Sequence, residues 1–245
     1  MSHPDTHDSV LTPFKWQPVP DSNQGRKNFL LSVFAEQRSV AERTACGSID
    51  QKDYLLALID KASKPSTFDA DRLRHVITEA AAKGHWGKPS RKGRAQGIAA
   101  HYDSSAYLAV VLDVEVSDEG RLIIHEAVIA ADLGPLESPG RMRSQLEGAC
   151  LMGVALVTSC DIGPTTGHPY PVDASRNSWP LVSLLPRQIA VHLIDADQDL
   201  NACQPGQVSY VPFVRALCNA IVNAMGNRTH HLPFKSRSIE RNRGS

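Results

Sequence analysis

Residues 106–131, AYLAVVLDVEVSDEGRLIIHEAVIAA, decide the fold of this chain. Apolar residues dominate both faces of residues 106–116. Residues 117–120 (SDEG) have the composition of a turn, and residues 121–131 form the returning strand. Two such runs joined by a short polar turn predict a β-hairpin. We therefore expect this hairpin to be the centre of a sheet.

Helical patterns come before the hairpin. Apolar residues at helical spacing predict a helix over Asn28–Ala45. A capping box formed by Ser48 and Gln51 predicts a second helix, which Pro65 ends. A third helix is expected from about Asp69 to Gly84, with Leu73, Val76 and Ile77 on one face. The basic loop Lys88–Arg94 then leads towards the hairpin.

Two more helices are predicted after the hairpin, over about Arg141–Thr158 and over Val211–Met225, which Gly226 follows as the capping residue. Small residues on one side of the first would allow another element to approach closely: Gly148, Ala149, Gly153 and Ala155. Residues 188–195 predict a buried strand, and residues 162–179 predict a loop. The predicted fold class is α+β: N-terminal helices and a mixed sheet built on the central β-hairpin, covered by two helices from the C-terminal half.

Composition limits the possible functions. Lys plus Arg and Asp plus Glu both number 26 in 245 residues, so no net field favours nucleic acid or an anionic membrane. The five cysteines share no C-x-x-C spacing, so a zinc site or a disulfide framework is not expected. Residues 1–13 do not resemble an export signal, and the longest uncharged apolar run, Ala149–Thr158, is too short to cross a bilayer. These features predict a soluble, cytoplasmic protein.

The chain divides into three parts by composition. Residues 1–26 are rich in Pro, Asp, Ser and His and are expected to form an extended or disordered arm. Residues 27–234 carry the helical and strand patterns, and residues 235–245 form a basic tail that we expect to be solvated.

Familiar catalytic signatures are absent: the sequence has no G-x-S-x-G elbow, no Walker A loop and no G-x-G-x-x-G after a strand. The acidic run Asp195–Asp199 lacks the glycine and the bidentate glutamate of a calcium loop, and His230–His231 have no acid or thiol nearby. Gln145 and Glu147 lie at a helix entry, where unpaired N–H groups favour a polar ligand. Judged by composition alone, both are ordinary polar helix residues.

Several motifs, in order, resemble the C-terminal part of the molybdopterin-binding large subunit of the xanthine dehydrogenase/aldehyde oxidase family, and in particular the isoquinoline 1-oxidoreductase β subunits. They are Trp86–Pro89, Gly93–Ala99, Ala131–Gly134, Gln145–Gly148, Ala216–Ile221 and Leu232–Phe234. The resemblance extends from about Asn28 to Phe234, so residues 27–234 would correspond to a molybdopterin-binding region.

The resemblance implies a cofactor, a site and partners. In the family, the glutamine of the Gln-x-Glu-Gly motif hydrogen-bonds to the molybdenum cofactor, and Gln145 matches that glutamine. The pterin dithiolene holds the metal, so no metal-ligating side chain is expected. The chain is much shorter than a complete large subunit. The resemblance therefore implies a second large-subunit chain or an iron–sulfur subunit as partner, with no iron–sulfur cluster in this chain.

One departure from the family pattern concerns catalysis. The family has Gly-Glu-Pro-Gly before the last helix, with the glutamate as catalytic base, whereas this sequence has Cys203-Gln204-Pro205-Gly206. The amide of Gln204 can hydrogen-bond but cannot accept the proton that a carboxylate would accept. Cys203 adds bulk where the family's backbone approaches the metal centre.

Two functions remain open on these grounds. In the first, the chain is a subunit or fragment of a molybdopterin-dependent oxidoreductase that hydroxylates an aldehyde or an N-heterocycle, and it is inactive alone. Alternatively, it is a non-catalytic scaffold, assembly or regulatory partner that has lost its base. A gene remnant is a third reading, and the intact capping and amphipathic patterns argue against it.

Overall fold

The computed structural model describes residues 49–61, 68–88, 90–102, 106–118, 121–159, 184–194 and 208–225. Within these ranges the chain forms four helices and four strands. In chain order they are α1 (Gln51–Lys61), α2 (Ala70–Lys83), β1 (Arg94–Tyr102), β2 (Tyr107–Val116), β3 (Leu122–Asp132), α3 (Pro139–Ser159), β4 (Gln188–Leu193) and α4 (Val211–Met225).

The four strands form one mixed sheet with the order β1-β2-β3-β4. β2 and β3 pair antiparallel, so the predicted hairpin is confirmed. β1 lies antiparallel beside β2, and β4 lies parallel beside β3. The hairpin register shifts at Asp113 and Val114, so that His125 on β3 has no directly opposite residue.

Helices cover both faces of the sheet, because side chains alternate between the two faces and both sets are apolar. α1 and α2 pack against one set, which includes Ile98 and Val111. α3 and α4 pack against the other, which includes Leu112 and Ile129. The predicted α+β architecture, with two C-terminal-half helices over the sheet, is therefore confirmed.

The prediction for α2 is confirmed in detail. The Asp69 side chain caps its start by accepting hydrogen bonds from the backbone N–H groups of Asp71 (2.9 Å) and Arg72 (3.1 Å). At its end the N–H of Gly84 donates to the carbonyl of Ala80 at 2.9 Å. Leu73, Val76 and Ile77, the predicted apolar face, are fully buried.

Ser48, the predicted cap of α1, lies outside the described residues, and Gln51 is the first helical residue rather than the third. The carboxylate of Asp50 accepts hydrogen bonds from the N–H groups of Lys52 (2.8 Å) and Asp53 (3.3 Å), so Asp50 caps the start of α1. An aspartate directly before the first helical residue satisfies the same unpaired donors as a Ser-x-x-Gln box.

Strand β1 was not predicted. The sequence RAQGIAAHY has one glycine and three alanines and little strand propensity of its own. Its conformation follows from pairing with β2 along its whole length, from Arg94–Glu115 to Tyr102–Tyr107. β4 differs from its prediction too: it is an edge strand, half-exposed rather than buried.

Gly97 of β1 sets the distance between the sheet and α4. A Cβ atom at this residue would overlap the backbone nitrogen of Ala220 and the carbonyl oxygen of Ala216, and would lie 2.7 Å from the Cα of Ala220. The helix backbone therefore rests directly on the strand backbone. Beside this contact, the Asn219 amide donates to the carbonyl of Ile98 at 2.8 Å.

Other predictions lie outside the described residues. These are the helix at residues 28–45, the end of α1 at Pro65, the loop at residues 162–179, the cap at Gly226, the arm at residues 1–26 and the tail at residues 235–245. The division of the chain into three parts stays a prediction. None of the helices within the described ranges combines the length and hydropathy that a membrane span requires.

We predict that Gly97→Ala lowers the free energy of unfolding by about 1–3 kcal/mol or more, because its methyl group would force α4 away from the sheet. Gly140→Ala is the matched control, since a Cβ there has no neighbour within 4 Å. The control should change stability by less than about 1 kcal/mol. Urea denaturation followed by circular dichroism measures both, and equal effects would contradict the role of Gly97.

Candidate functional site

The segment Trp86–Gly97, which carries much of the family resemblance, forms structural contacts. The Trp86 indole nitrogen lies 2.9 Å from both carboxylate oxygens of Asp50, which joins this segment to the start of α1. The Gln96 side chain donates to the carbonyl of Gly84 (2.7 Å) and accepts from the N–H of Gly87 (3.0 Å). These bonds hold the loop between α2 and β1 in one conformation.

The basic loop surrounds a buried carboxylate. Arg94 binds Asp113 through two hydrogen bonds of 2.9 and 2.8 Å, and Lys88 Nζ lies 2.6 Å from the same carboxylate. Gly93, at φ 81°, allows the loop to turn here, because a Cβ would lie 2.6 Å from the carbonyl oxygen of Val116. The ion pairs that Arg94 and Lys88 form with Asp113 therefore hold the loop against β2.

Asp113 is 2% exposed, and two opposing effects act on the pKa of its carboxyl group. Burial alone raises this pKa, and hydrogen bonds from Arg94 and Lys88 outweigh burial, so the net pKa lies below its ordinary value. Glu115 has a lowered pKa for a related reason, because Arg91 and His125 hydrogen-bond to it. The cationic loop thus stabilises the charged form of both acids.

Asp132, in the motif Ala131–Gly134, joins the sheet to α2. Arg72 of α2 donates to its two carboxylate oxygens at 2.7 and 2.6 Å. The guanidinium also lies 4.3 Å from the ring centroid of Tyr107, and the N–H of Gly134 donates to Asp132 at 3.3 Å. The hydrogen bond to Asp132 raises the pKa of Arg72, so this cation stays charged.

Gln145 lies on α3, and its position corrects one part of the prediction. α3 begins at Pro139, so Gln145 is the seventh helical residue. The unpaired N–H groups of a helix belong to its first four residues, so the helix terminus does not supply donors at Gln145. Gln145 is half-buried. Any ligand contact here must use its side-chain amide.

The two glycines that follow Gln145 on α3 have different surroundings. One turn further, Gly148 is exposed, and a Cβ there would have no neighbour within 4 Å. Gly153 differs, because a Cβ there would lie 2.7 Å from the Cβ of Phe213 on α4. The predicted close approach along the small side of α3 is thus confirmed at Gly153 and wrong at Gly148.

Cys203 and Gln204 lie outside the described residues, as do Asp195–Asp199 and His230–His231. The assigned roles of Gln145, Cys203 and Gln204 therefore stay predictions. The segment 195–207 starts after Ile194, whose N–H donates to the carbonyl of Ala131 at 2.8 Å. It leads to Val208–Tyr210, directly before α4.

The described cysteines are not available as metal ligands or nucleophiles. Burial raises the pKa of Cys150 and of Cys218 to about 12, so neither forms a thiolate near neutral pH. Within the described ranges, no group of three or more His, Cys, Asp or Glu residues could hold a metal ion.

Sequence reasoning missed Asp113 and Asp132 as buried, paired acids. Each is an acidic residue with apolar residues on both sides, in or at the end of an apolar strand, and that context is the signal that could have found them. His125, predicted to be a surface or hydrogen-bonded histidine, lies 2.8 Å from Glu115 through Nε2.

Comparisons with known proteins identify larger oxidoreductases. No protein-family model matches the chain. The membrane-bound aldehyde dehydrogenase [pyrroloquinoline-quinone] of Gluconacetobacter polyoxogenes is 28% identical over 178 residues. The match covers 69% of this chain and 22% of that protein, so the chain spans about a fifth of its curated relative.

Two solved structures are similar to part of this chain. The aldehyde oxidoreductase of Desulfovibrio gigas matches 53% of this chain and 14% of its own length, with 21% identity and a TM-score of 0.43. The quinoline 2-oxidoreductase of Pseudomonas putida 86 matches 49% of this chain and 16% of its own, with 14% identity and the same TM-score, 0.43. At these scores no site residue is transferred from them.

The predicted resemblance to part of a larger oxidoreductase is confirmed, since this chain is similar to about a fifth of an aldehyde dehydrogenase. Side chains of the motifs Trp86–Gly97 and Ala131–Gly134 connect helices and loops to the sheet. These two motifs therefore have a structural role. In the motif Gln145–Gly148, a Cβ at Gly148 would have no neighbour within 4 Å.

The charge cluster at Asp113 predicts a pH dependence. A carboxylate with a lowered folded-state pKa contributes stability above its unfolded pKa, about 3.9, and loses that contribution as pH falls through the folded value. We expect Asp113→Asn to lower the free energy of unfolding by about 1–3 kcal/mol at pH 7. As pH falls from about 5 to 2, the free energy of unfolding of Asp113→Asn should decrease less than that of the unchanged protein.

The matched control is Asp118→Asn, because Asp118 belongs to an exposed pair with Lys92 in the same region. Exposed pairs contribute about 0–1 kcal/mol, so this variant should keep the pH profile of the unchanged protein. Urea denaturation at stepped pH measures all three proteins. Parallel profiles for Asp113→Asn and the unchanged protein would contradict the prediction.

Proposed function

We propose that this chain is a subunit, or part of one, in a molybdopterin-dependent oxidoreductase that hydroxylates an aldehyde or an N-heterocycle, and that it is inactive without a partner chain. The observation that carries the proposal is the 178-residue match to an aldehyde dehydrogenase, together with Gln145 in the family's Gln-x-Glu-Gly motif. The match covers 22% of that dehydrogenase, so the rest of the cofactor site would come from outside these residues.

The residues present fit a cofactor contact at Gln145. A glutamine side chain offers both a carbonyl acceptor and N–H donors, which suits a pterin with ring nitrogens and carbonyl oxygen. Gly148, one turn away, leaves space into which a flat group could fit. Gln145 would therefore bind and orient the pterin, and the metal would need no ligand from this chain.

When bound, the molybdenum cofactor supplies the redox centre for hydroxylation. This chain's own contribution at the position of the base is limited, because Gln204 can donate and accept hydrogen bonds but cannot remove a proton. Loss of a positioned general base costs about 10²–10⁴-fold in rate. We therefore assign binding and orientation to this chain, and expect electron transfer to involve a separate iron–sulfur subunit.

Metal and cofactor content tests the proposal. The chain is purified from its native host with the proteins that co-elute, and molybdenum, pterin and pyrroloquinoline quinone are measured. We expect molybdenum and pterin in the complex, with content reduced about 10-fold by Gln145→Ala, the size of effect seen when a positioned cofactor contact is lost. Ser144→Ala is the control on the same helix, since Ser144 is exposed.

Two results would overturn the proposal. One is a chain that carries no molybdenum and has no large partner. The other is a complex that contains pyrroloquinoline quinone in place of pterin, the quinone named for the curated relative.

The alternative is a non-catalytic scaffold, assembly or regulatory partner, and the sequence Cys203-Gln204-Pro205-Gly206 favours it. Gln204→Glu in the reconstituted complex separates the two functions. If this chain contributes to an active site, we expect the variant to raise kcat about 10²-fold or more. An unchanged kcat, with cofactor retained, would favour the scaffold.

A further inference from the structure

The two edges of the sheet differ in how their backbone groups are satisfied. Within the described residues, β1 and β4 are the edge strands. Successive residues of a strand direct their N–H and C=O groups alternately to one side and to the other. An edge strand therefore presents every second residue to whatever lies beyond the sheet.

The edge at β1 is closed by α4. Even-numbered residues of β1 face away from β2, because the odd-numbered ones exchange hydrogen bonds with it. Two of the outward carbonyls, those of Gln96 and Ile98, each accept a hydrogen bond of 2.8 Å from a side-chain amide of α4. The two donors are Asn223 and Asn219. A packed helix thus occupies the place that a further strand would need.

The edge at β4 is closed differently. The N–H of Ile194 donates to the carbonyl of Ala131, so even-numbered residues of β4 face β3. The odd-numbered residues direct their backbone groups outward: Ile189, Val191 and Leu193. Among the described residues, one of these groups has a side-chain partner, because the guanidinium of Arg143 on α3 donates to the carbonyl of Val191. A single long side chain covers this edge where a helix covers the other.

Arg143 can be drawn away from this carbonyl by an acid. The residue is exposed, and no ion pair within the described residues includes it, although Glu147 lies one turn further on the same side of α3. A guanidinium binds a carboxylate more strongly than it binds a neutral carbonyl. The position beside Val191 therefore favours a neighbour that brings a carboxylate.

The side chains of β4 define what a further strand would need. Val191 points to the face that α3 covers, together with Ile189 and Leu193. A residue placed opposite Val191 in an added strand would point to the same face and reach Arg143. The residues two positions away would lie opposite Ile189 and Leu193, which are apolar and half-buried. The edge thus fits a strand that has an acidic residue between two apolar ones at alternate positions.

A second copy of this chain fits the same edge poorly. If two β4 strands paired antiparallel so that all three outward residues were matched, Val191 would lie opposite its own counterpart. The two Arg143 side chains would then meet, and like charges at opposite positions destabilise a strand pair. Arg143 therefore disfavours self-association and favours a foreign strand that carries an acid.

We propose that the edge of β4 is a docking site for an extended segment of a partner polypeptide, whose acidic residue binds Arg143 opposite Val191. The segment adds a strand to the sheet beyond β4. The inference goes beyond the proposed function and does not rest on it, because strand pairing at this edge needs no cofactor.

Peptide titration of the isotope-labelled full chain tests the proposal. The probe is a short blocked threonine peptide with valine, glutamate and valine at its second, fourth and sixth positions, which share one face of a strand. A matched peptide has lysine in place of glutamate. NMR shifts and exchange protection are measured at the backbone amides of Ile189, Val191 and Leu193. Arg143→Glu is the test variant, and Arg141→Glu is the control, since Arg141 is also exposed but lies about 200° around α3 from Arg143.

We expect the glutamate peptide to protect the three amides and to bind about fivefold more tightly than the lysine peptide, the size of a favourable cross-strand charge pair. Arg143→Glu should reverse this preference, and Arg141→Glu should keep it. The proposal fails if the amides stay unprotected, if both peptides bind the unchanged chain equally, or if Arg143→Glu keeps the preference for glutamate. A dimer of the unchanged chain that protects the same amides would also overturn it. Cofactor content plays no part in these measurements, so each of these failures leaves the proposed function standing.

Discussion

The direct contact between Gly97 and the backbone of α4 sets the distance between the sheet and its last helix. Because no side chain separates strand and helix, α4 lies close enough for Asn219 to reach the carbonyl of Ile98. Asn223, one turn later, donates to the carbonyl of Gln96 at 2.8 Å and exchanges amide hydrogen bonds with Gln51 of α1. One close approach thus fixes α4 on β1 and connects it to the N-terminal helices.

Paired charges fasten the loops and helices at two ends of this sheet. At one end Asp113 binds Arg94 and Lys88, and at the other Asp132 binds Arg72. A buried carboxylate is costly unless it is paired, so each acid requires its cation in one place. The motifs Trp86–Gly97 and Ala131–Gly134 therefore encode scaffold contacts, and resemblance in these two motifs is evidence of shared ancestry rather than of shared activity.

Sequence patterns gave reliable predictions where the interactions that form an element lie within a few residues of it. The hairpin followed from two apolar runs and a turn, and α2 followed from Asp69, its apolar face and Gly84, all of which act within a few residues. β1 was missed because its small residues prefer no strand by themselves and depend on β2 and α4. Gln145 was assigned to a helix correctly, but the start of α3 at Pro139 removed the expected role of the helix terminus.

By itself, the sequence determined the fold class, the central hairpin, the helices of the described regions and the family resemblance, since these depend on periodicity, capping and motif order. Only the tertiary structure decided that β1 belongs to the sheet, that β4 is an edge strand and that Asp113 and Asp132 are buried with cationic partners. The reason is physical: burial, register and pairing depend on residues far apart in the chain, and local propensity does not contain that information.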